Sequence, residues 1–190
     1  MSGKSLKTKI SFAAYEGDEP YLFISYSHVD TDSVYRIMNR LDREKFRIWF
    51  DDTMEVGEDF RDELKVKIEK CAAFILFVSK ASMDSKYCGM EIITAYKNNK
   101  KIYPIYLEEE VEIPSALKLM LENLQHVNGI SAEAEDKYIT KLVEGLPIEA
   151  MRSLVIKGGV LEKCKDGSKI VNIPETVEII GNSAFKECEK

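Results

Sequence analysis

The sequence predicts an α/β protein built on a parallel, doubly wound sheet, and three observations carry that prediction. Tyr21 to Tyr26, Phe46 to Phe50, Ala72 to Val78 and Lys101 to Leu107 are short, near-continuous apolar runs, as expected of strands covered on both faces. The stretches between them place apolar residues at helical spacing. Strands alternating with helices make parallel sheets with right-handed crossovers.

Taken in order, residues 1–19 are polar and small, and read as a loose lead-in to a domain over 20–147. After the first strand, Asp30 or Asp32 can cap a helix whose apolar positions are Val34, Ile37, Met38 and Leu41. The second strand, Phe46 to Phe50, empties into an acidic loop, Asp51 to Asp59. Phe60, Leu64, Ile68 and Cys71 then fall at helical spacing. The third strand, Ala72 to Val78, leads through a polar turn, Ser79 to Ser85, into a helix over Tyr87 to Asn98. The fourth strand contains Pro104, which argues mildly against a fully central place. Ile113-Pro114 opens a short helix, Leu124 to Val127 is a small last strand, and Ala132 to Leu146 is a final helix. Five strands suggest the flavodoxin-like order 2-1-3-4-5, with the switch point between strands 1 and 3. The turns Ser25 to Asp30 and Ser79 to Ser85 would then flank one crevice.

Composition narrows the function. With 190 residues, 45% hydrophobic and 32% charged, the chain can bury a real core. A net charge of −6 argues against nucleic acid as the main partner. Cys71, Cys88, Cys164 and Cys188 lie far apart, which favours buried reduced thiols over a disulfide framework or zinc site. No stretch approaches transmembrane length and none reads as a secretory leader. A soluble, cytoplasmic protein with no membrane partner is expected.

Beyond Pro147 the helical pattern ends. Val155, Ile156, Val160, Leu161, Ile170, Val171, Ile173, Val177, Ile179, Ile180 and Phe185 alternate with Gly and Asn turns over 148–190. So short a segment cannot bury its own apolar side chains, which marks a repeat unit awaiting neighbours. The natural chain is expected to continue past Lys190.

Several chemistries are disfavoured. The acidic pair Asp51-Asp52 follows strand 2, whereas phosphoacceptor receiver domains need their pair after strand 1. Solvated loop carboxylates are the plainer reading. No P-loop or G-x-G-x-x-G turn occurs. His28 and His126 have no clustered partners at metal-ligand spacing, so no metal is expected.

Phe23-Ile24-Ser25-Tyr26-Ser27-His28-x-Asp30, then Trp49-Phe50-Asp51-Asp52 with Gly57 after it, then Ser85-x-Tyr87-Cys88-x-x-Glu91, resembles a Toll/interleukin-1 receptor (TIR) domain, most closely its bacterial and plant members. The tail Ile173-Pro174-Glu175-Thr176-Val177-x-x-Ile180-Gly181-Asn182-x-Ala184-Phe185-x-x-Cys188 resembles one unit of the BspA-like leucine-rich repeats, with Phe185 and Cys188 as core residues.

The TIR resemblance implies an enzyme that cleaves NAD+ at the nicotinamide glycosidic bond, with Glu91 at the position of the essential glutamate. NAD+ is then substrate and no cofactor is implied. The physics is compatible: nicotinamide leaves as a neutral group, and a carboxylate at the ribose stabilises an oxocarbenium-like transition state. Helix phase sets Glu91 at the border of an apolar stripe of Cys88, Ile92, Ala95 and Tyr96, at a rim with Tyr87 one turn away. An ordinary solvated carboxylate is the plain alternative for Glu91. The resemblance adds Tyr26, Ser27, Ser85, Tyr87 and Cys88 to the substrate site, Tyr87 standing where many catalytic relatives carry Trp. Trp49 suits the core first and the pocket second. The loop with Asp51, Asp52 and Gly57 matches the family's self-association loop. Two functions follow: an NAD+ glycohydrolase in bacterial anti-phage defence, joined to a repeat array that senses or scaffolds through an unidentified ligand or protein, or a non-catalytic TIR–TIR interaction module. Whether the product is linear ADP-ribose or a cyclic isomer depends on pocket shape and stays open.

Overall fold

Side chains alternate across a strand, so each strand of a doubly wound sheet must feed two cores. The computed structural model describes residues 8–51, 58–122, 124, 127–128, 132–151, 154–164, 173 and 177–186. In it β1 (Leu22–Ser25), β2 (Ile48–Phe50), β3 (Ala73–Val78) and β4 (Ile102–Tyr106) run parallel in the order β2-β1-β3-β4. The helices are α1 (Thr31–Arg43), α2 (Glu58–Lys70), α3 (Lys80–Asp84), α4 (Lys86–Lys97), α5 (Ser115–Leu121) and α6 (Ala132–Gly145). One core packs Leu22, Ile24, Ile75 and Phe77 of the sheet against α1 and α6. The other packs Phe23, Trp49, Phe74, Leu76 and Val78 against α2, α4 and α5. Hence the four strands read as unbroken apolar runs.

The fifth strand expected at Leu124 to Val127 is reduced to a two-residue ladder, Val127–Asn128 (β5), beside β4. It pairs with Ile105 and Tyr106. Leu124 directs its N–H to the Leu121 carbonyl at 3.2 Å, so the chain is still closing a helical turn where strand pairing is expected. Pro104 lies ahead of the two residues that ladder with β5, in a stretch of β4 laddered on one side only.

The lead-in is not loose where it is described. Ile10, Phe12 and Ala14 pack on the α1 core, and the Tyr15 N–H bonds the Ile48 carbonyl of β2 at 2.8 Å. The alternation at Ile10, Phe12 and Ala14 is a strand-like signal, and it lays the segment against an edge strand that would otherwise stand open. Arg47, 3% exposed, gathers the far side. It pairs with Glu19 at 2.6 Å and donates to the carbonyls of Glu149 and Met151 at 3.1 and 2.9 Å.

Past Met151 the chain forms β6 (Leu154–Lys157), β7 (Val160–Cys164) and β8 (Ile179–Ile180), in the order β6-β7-β8. Gly158 and Gly159, with φ of 53° and 76°, make the tight turn between β6 and β7, which needs two left-handed residues. β8 joins β7 in parallel, Val160 opposite Ile179. Phe185, expected in a core, is 38% exposed, because the described residues bring nothing over it. Cys188 lies outside the described residues, as do Ile170 and Val171.

Candidate functional site

The polar turn after β3 is a helix. Ser79 caps α3 with a reciprocal box: its hydroxyl accepts from the Ser82 N–H at 3.0 Å, and Ser82 Oγ accepts from the Ser79 N–H at 2.9 Å. Ser85 then caps α4 by accepting from the Cys88 N–H at 3.3 Å. Two caps in succession turn the chain twice within a few residues and bring α4 back along the sheet.

This places Glu91 in the core and not at a rim. Its side chain is 8% exposed, on the face of α4 that packs on β1 and β3. Tyr96, expected in the apolar stripe, is instead 46% exposed. Ser25, the last residue of β1 and 1% exposed, donates its hydroxyl to Glu91 Oε2 at 2.5 Å. Burial pushes the Glu91 carboxyl up to about 8; the Ser25 hydrogen bond opposes that rise and the charge of Asp51 adds to it. Among the described residues no cation pairs with Glu91.

Glu91 also lines a groove of ≈ 280 Å³ between α2 and α4. Leu64, Lys65 and Ile68 line it from α2, and Tyr87, Met90 and Glu91 from α4. Tyr87 is 39% exposed, so its ring is free to meet a ligand one turn from the carboxyl. Cys88, 3% exposed, sits behind Glu91; burial, then the Glu91 charge, pushes its thiol up to about 11. It is a packing thiol and not a nucleophile.

The remaining expected site residues scatter. Tyr26 lies on the opposite face of the sheet, in the α1 core, with its hydroxyl on the Asp51 carbonyl at 3.1 Å. Strand parity separates it from Glu91. Ser27 is half-buried just past β1, before the 3₁₀ turn His28–Asp30. Trp49 belongs to the core, 5% exposed and stacked on Phe23 at 4.8 Å, with Nε1 unpartnered among the described residues. Asp51 is half-buried at the end of β2, whereas Asp52 and Gly57 lie outside the described residues. Sequence reasoning placed Ser25 in the crevice turn but not among the site residues. The period of two along β1 was the signal: Ser25 shares a face with Phe23, the face covered by α4.

A second pair ties the two turns at the switch point. Ser79 Oγ donates to Asp30 Oδ2 at 2.5 Å. Asp30 occupies the N-cap position of α1, yet its side chain makes no cap bond, because it turns to Ser79. Among the described residues no three His, Cys, Asp or Glu side chains gather at metal-binding range. No helix there is long and apolar enough to cross a membrane.

Residues 22–143 match the family model described as TIR domain. Among solved structures, the TIR domain of the Toll-related receptor TRR-2 from Hydra magnipapillata is similar at TM-score 0.53 and 18% identity, over 65% of this chain and 94% of that one. The TIR domains of the activated Roq1 resistosome, which directly recognises the pathogen effector XopQ, are similar at TM-score 0.51 and 15% identity, over 66% and 98%. At such identities the likeness shows the fold. No curated protein matches the chain in sequence.

Proposed function

This chain belongs to the TIR-domain family, and from that premise we propose that it cleaves NAD+ at the nicotinamide glycosidic bond, with Glu91 as the carboxylate at the ribose. One observation carries the reading: a buried glutamate, 8% exposed, with no described cation beside it, lining a groove that also holds an exposed aromatic ring. Removing a carboxylate from water without a counter-charge costs several kcal/mol by general solvation arguments. Strongly perturbed carboxyls of this kind cluster at functional sites.

The family includes NAD+-cleaving enzymes, and the chemistry suits this arrangement. The nicotinamide ring of NAD+ is cationic, so a substrate seated beside Glu91 supplies the missing counter-charge and favours the ionised carboxylate. Tyr87 offers a ring face to the same cation. As the glycosidic bond lengthens, positive charge moves from the nicotinamide ring to the ribose, and the carboxylate stabilises it there. The leaving group departs neutral and needs no general acid. In this reading NAD+ is the substrate, copies associate through the loop from Asp51 to Gly57, and the segment 148–190 starts a repeat array of the BspA-like kind that couples a trigger to defence signalling in a bacterial cell.

Chromatography of NAD+ reactions at high protein concentration tests the proposal. Wild type should release nicotinamide with linear or cyclic ADP-ribose, and Glu91→Gln should lower the rate by about 10³-fold or more. A folded wild type that leaves NAD+ intact in every assembly state overturns it. Self-association that survives Glu91→Ala would then assign the chain to interaction alone.

A further inference from the structure

The geometry points to Ser25 as the positioning residue for Glu91: its hydroxyl holds one carboxyl oxygen against β1 and leaves the other for the substrate. This inference rests on the glycohydrolase reading for its meaning, but the contact can be tested without it.

Ser25 ends a strand whose other members, Leu22, Phe23 and Ile24, are all buried and apolar. A hydroxyl placed 1% exposed at the end of such a run loses its water and must find a partner inside. Serine has one donor proton. Here it goes to Glu91 Oε2, at a distance in the range of charge-assisted O–H···O⁻ bonds. Among the described residues that is the only hydrogen bond Glu91 receives, so Oε1 is uncommitted. The restraint comes from within the sheet, since Ser25 pairs in register with Leu76 of the central strand β3.

The consequence is directional. A donor aimed at a carboxylate favours the charged form, and that bond opposes the burial that would keep Glu91 protonated. The other titratable groups around Glu91 come from three elements. Asp51, following β2, disfavours its charge, and Cys88 and Tyr87 share its helix. Asp62 and Lys65 of α2 line the same groove. None of these takes the place of the Ser25 hydroxyl. Ser25 therefore fixes the direction of the carboxylate and keeps its titration below where burial alone would put it.

The test is a carboxyl ¹³C titration of the full chain labelled at glutamate, with the Glu91 resonance assigned by its loss in Glu91→Gln. Removing the hydroxyl in Ser25→Ala should raise the Glu91 midpoint by about one pH unit or more. The acid limb of nicotinamide release should move up with it, kcat falling at low pH while KM changes little. Ser25→Thr, which restores the hydroxyl, should bring the midpoint back toward wild type. Should Ser25→Ala fail to fold, Ser25→Cys keeps the size and substitutes a weak donor, with a shift in the same direction. An unchanged Glu91 midpoint in the folded variant overturns the assignment, even in an active enzyme. A wild type without turnover overturns the glycohydrolase reading, and the titration still decides what Ser25 does.

Discussion

Two serine–carboxylate pairs tie the C-terminal ends of adjacent strands to their surroundings, and they share one bond length. Ser25 of β1 holds Glu91 of α4 at 2.5 Å, and Ser79 after β3 holds Asp30 ahead of α1, also at 2.5 Å. Both serines are fully buried, but the carboxyls are not alike: Glu91 is 8% exposed, whereas Asp30 is half-buried. Burial raises both carboxyls, and a serine hydroxyl opposes the rise in both. The bond therefore does not distinguish them. The difference lies in how much water each carboxyl retains and in what lies beyond it. Glu91 lines a groove with Tyr87, while Asp30 joins two turns through Ser79.

The largest effect should come from Glu91. Besides removing turnover, Glu91→Gln should change the pH dependence of stability. Glu91 titrates at 4.5 in its ordinary state and at about 8 when folded, so between those values the folded chain binds the extra proton. Its contribution to stability is full below about pH 4.5 and declines as the pH rises to about 8. Denaturant midpoints of wild type and Glu91→Gln should be close at about pH 5 and diverge by about pH 9, with the variant more stable by on the order of a few kcal/mol. Equal pH profiles would mean that burial leaves the Glu91 carboxyl unperturbed, and the contrast between the pairs would collapse.

Ser79→Ala should have a smaller effect, on folding and not on chemistry. It removes the cap of α3 and the donor to Asp30 together, at a cost of about 1–3 kcal/mol in urea unfolding. Nicotinamide release per folded molecule should stay within about threefold of wild type. A loss of turnover comparable to that of Glu91→Gln would place the reacting site in the switch-point crevice and not in the α2–α4 groove.

The sheet was legible in the sequence because each of its four strands is apolar at nearly every position and alternates with helical spacing, as a sheet covered on both faces requires. The fifth strand was less legible, since apolarity alone cannot separate a helical turn closing at Leu124 from a strand beginning there. The spacing of Tyr87 and Glu91 was readable from helix phase. The burial of Glu91 was not, because it depends on the double cap at Ser79 and Ser85, which directs α4 onto β1 and β3. Tyr26 and Ser25 show the cost of reading a motif without its parity. The turn residues of the motif drew attention, while the residue on the same face as α4 was one position earlier. Trp49 lies in the core, the first of its two expected places, stacked on Phe23 on the face that α2 and α4 cover.

The smallest effect should belong to Asp30→Asn. An amide oxygen can still accept from Ser79, so the tie between the two turns survives the substitution. What disappears is a charge that burial and the nearby Glu108 both disfavour, against which Ser79 alone acts. Because the folded carboxyl is raised, the wild-type contribution declines as pH rises through its titration, so the variant should equal or slightly exceed wild type at neutral pH. The change should stay under about 1 kcal/mol, since a half-buried carboxyl keeps much of its hydration. Matched measurements on Asp30→Asn and Glu91→Gln then isolate burial as the variable, with the serine donor held constant. A destabilisation of Asp30→Asn by several kcal/mol would show that ionised Asp30 is a structural anchor, and the two pairs would differ in kind and not in degree.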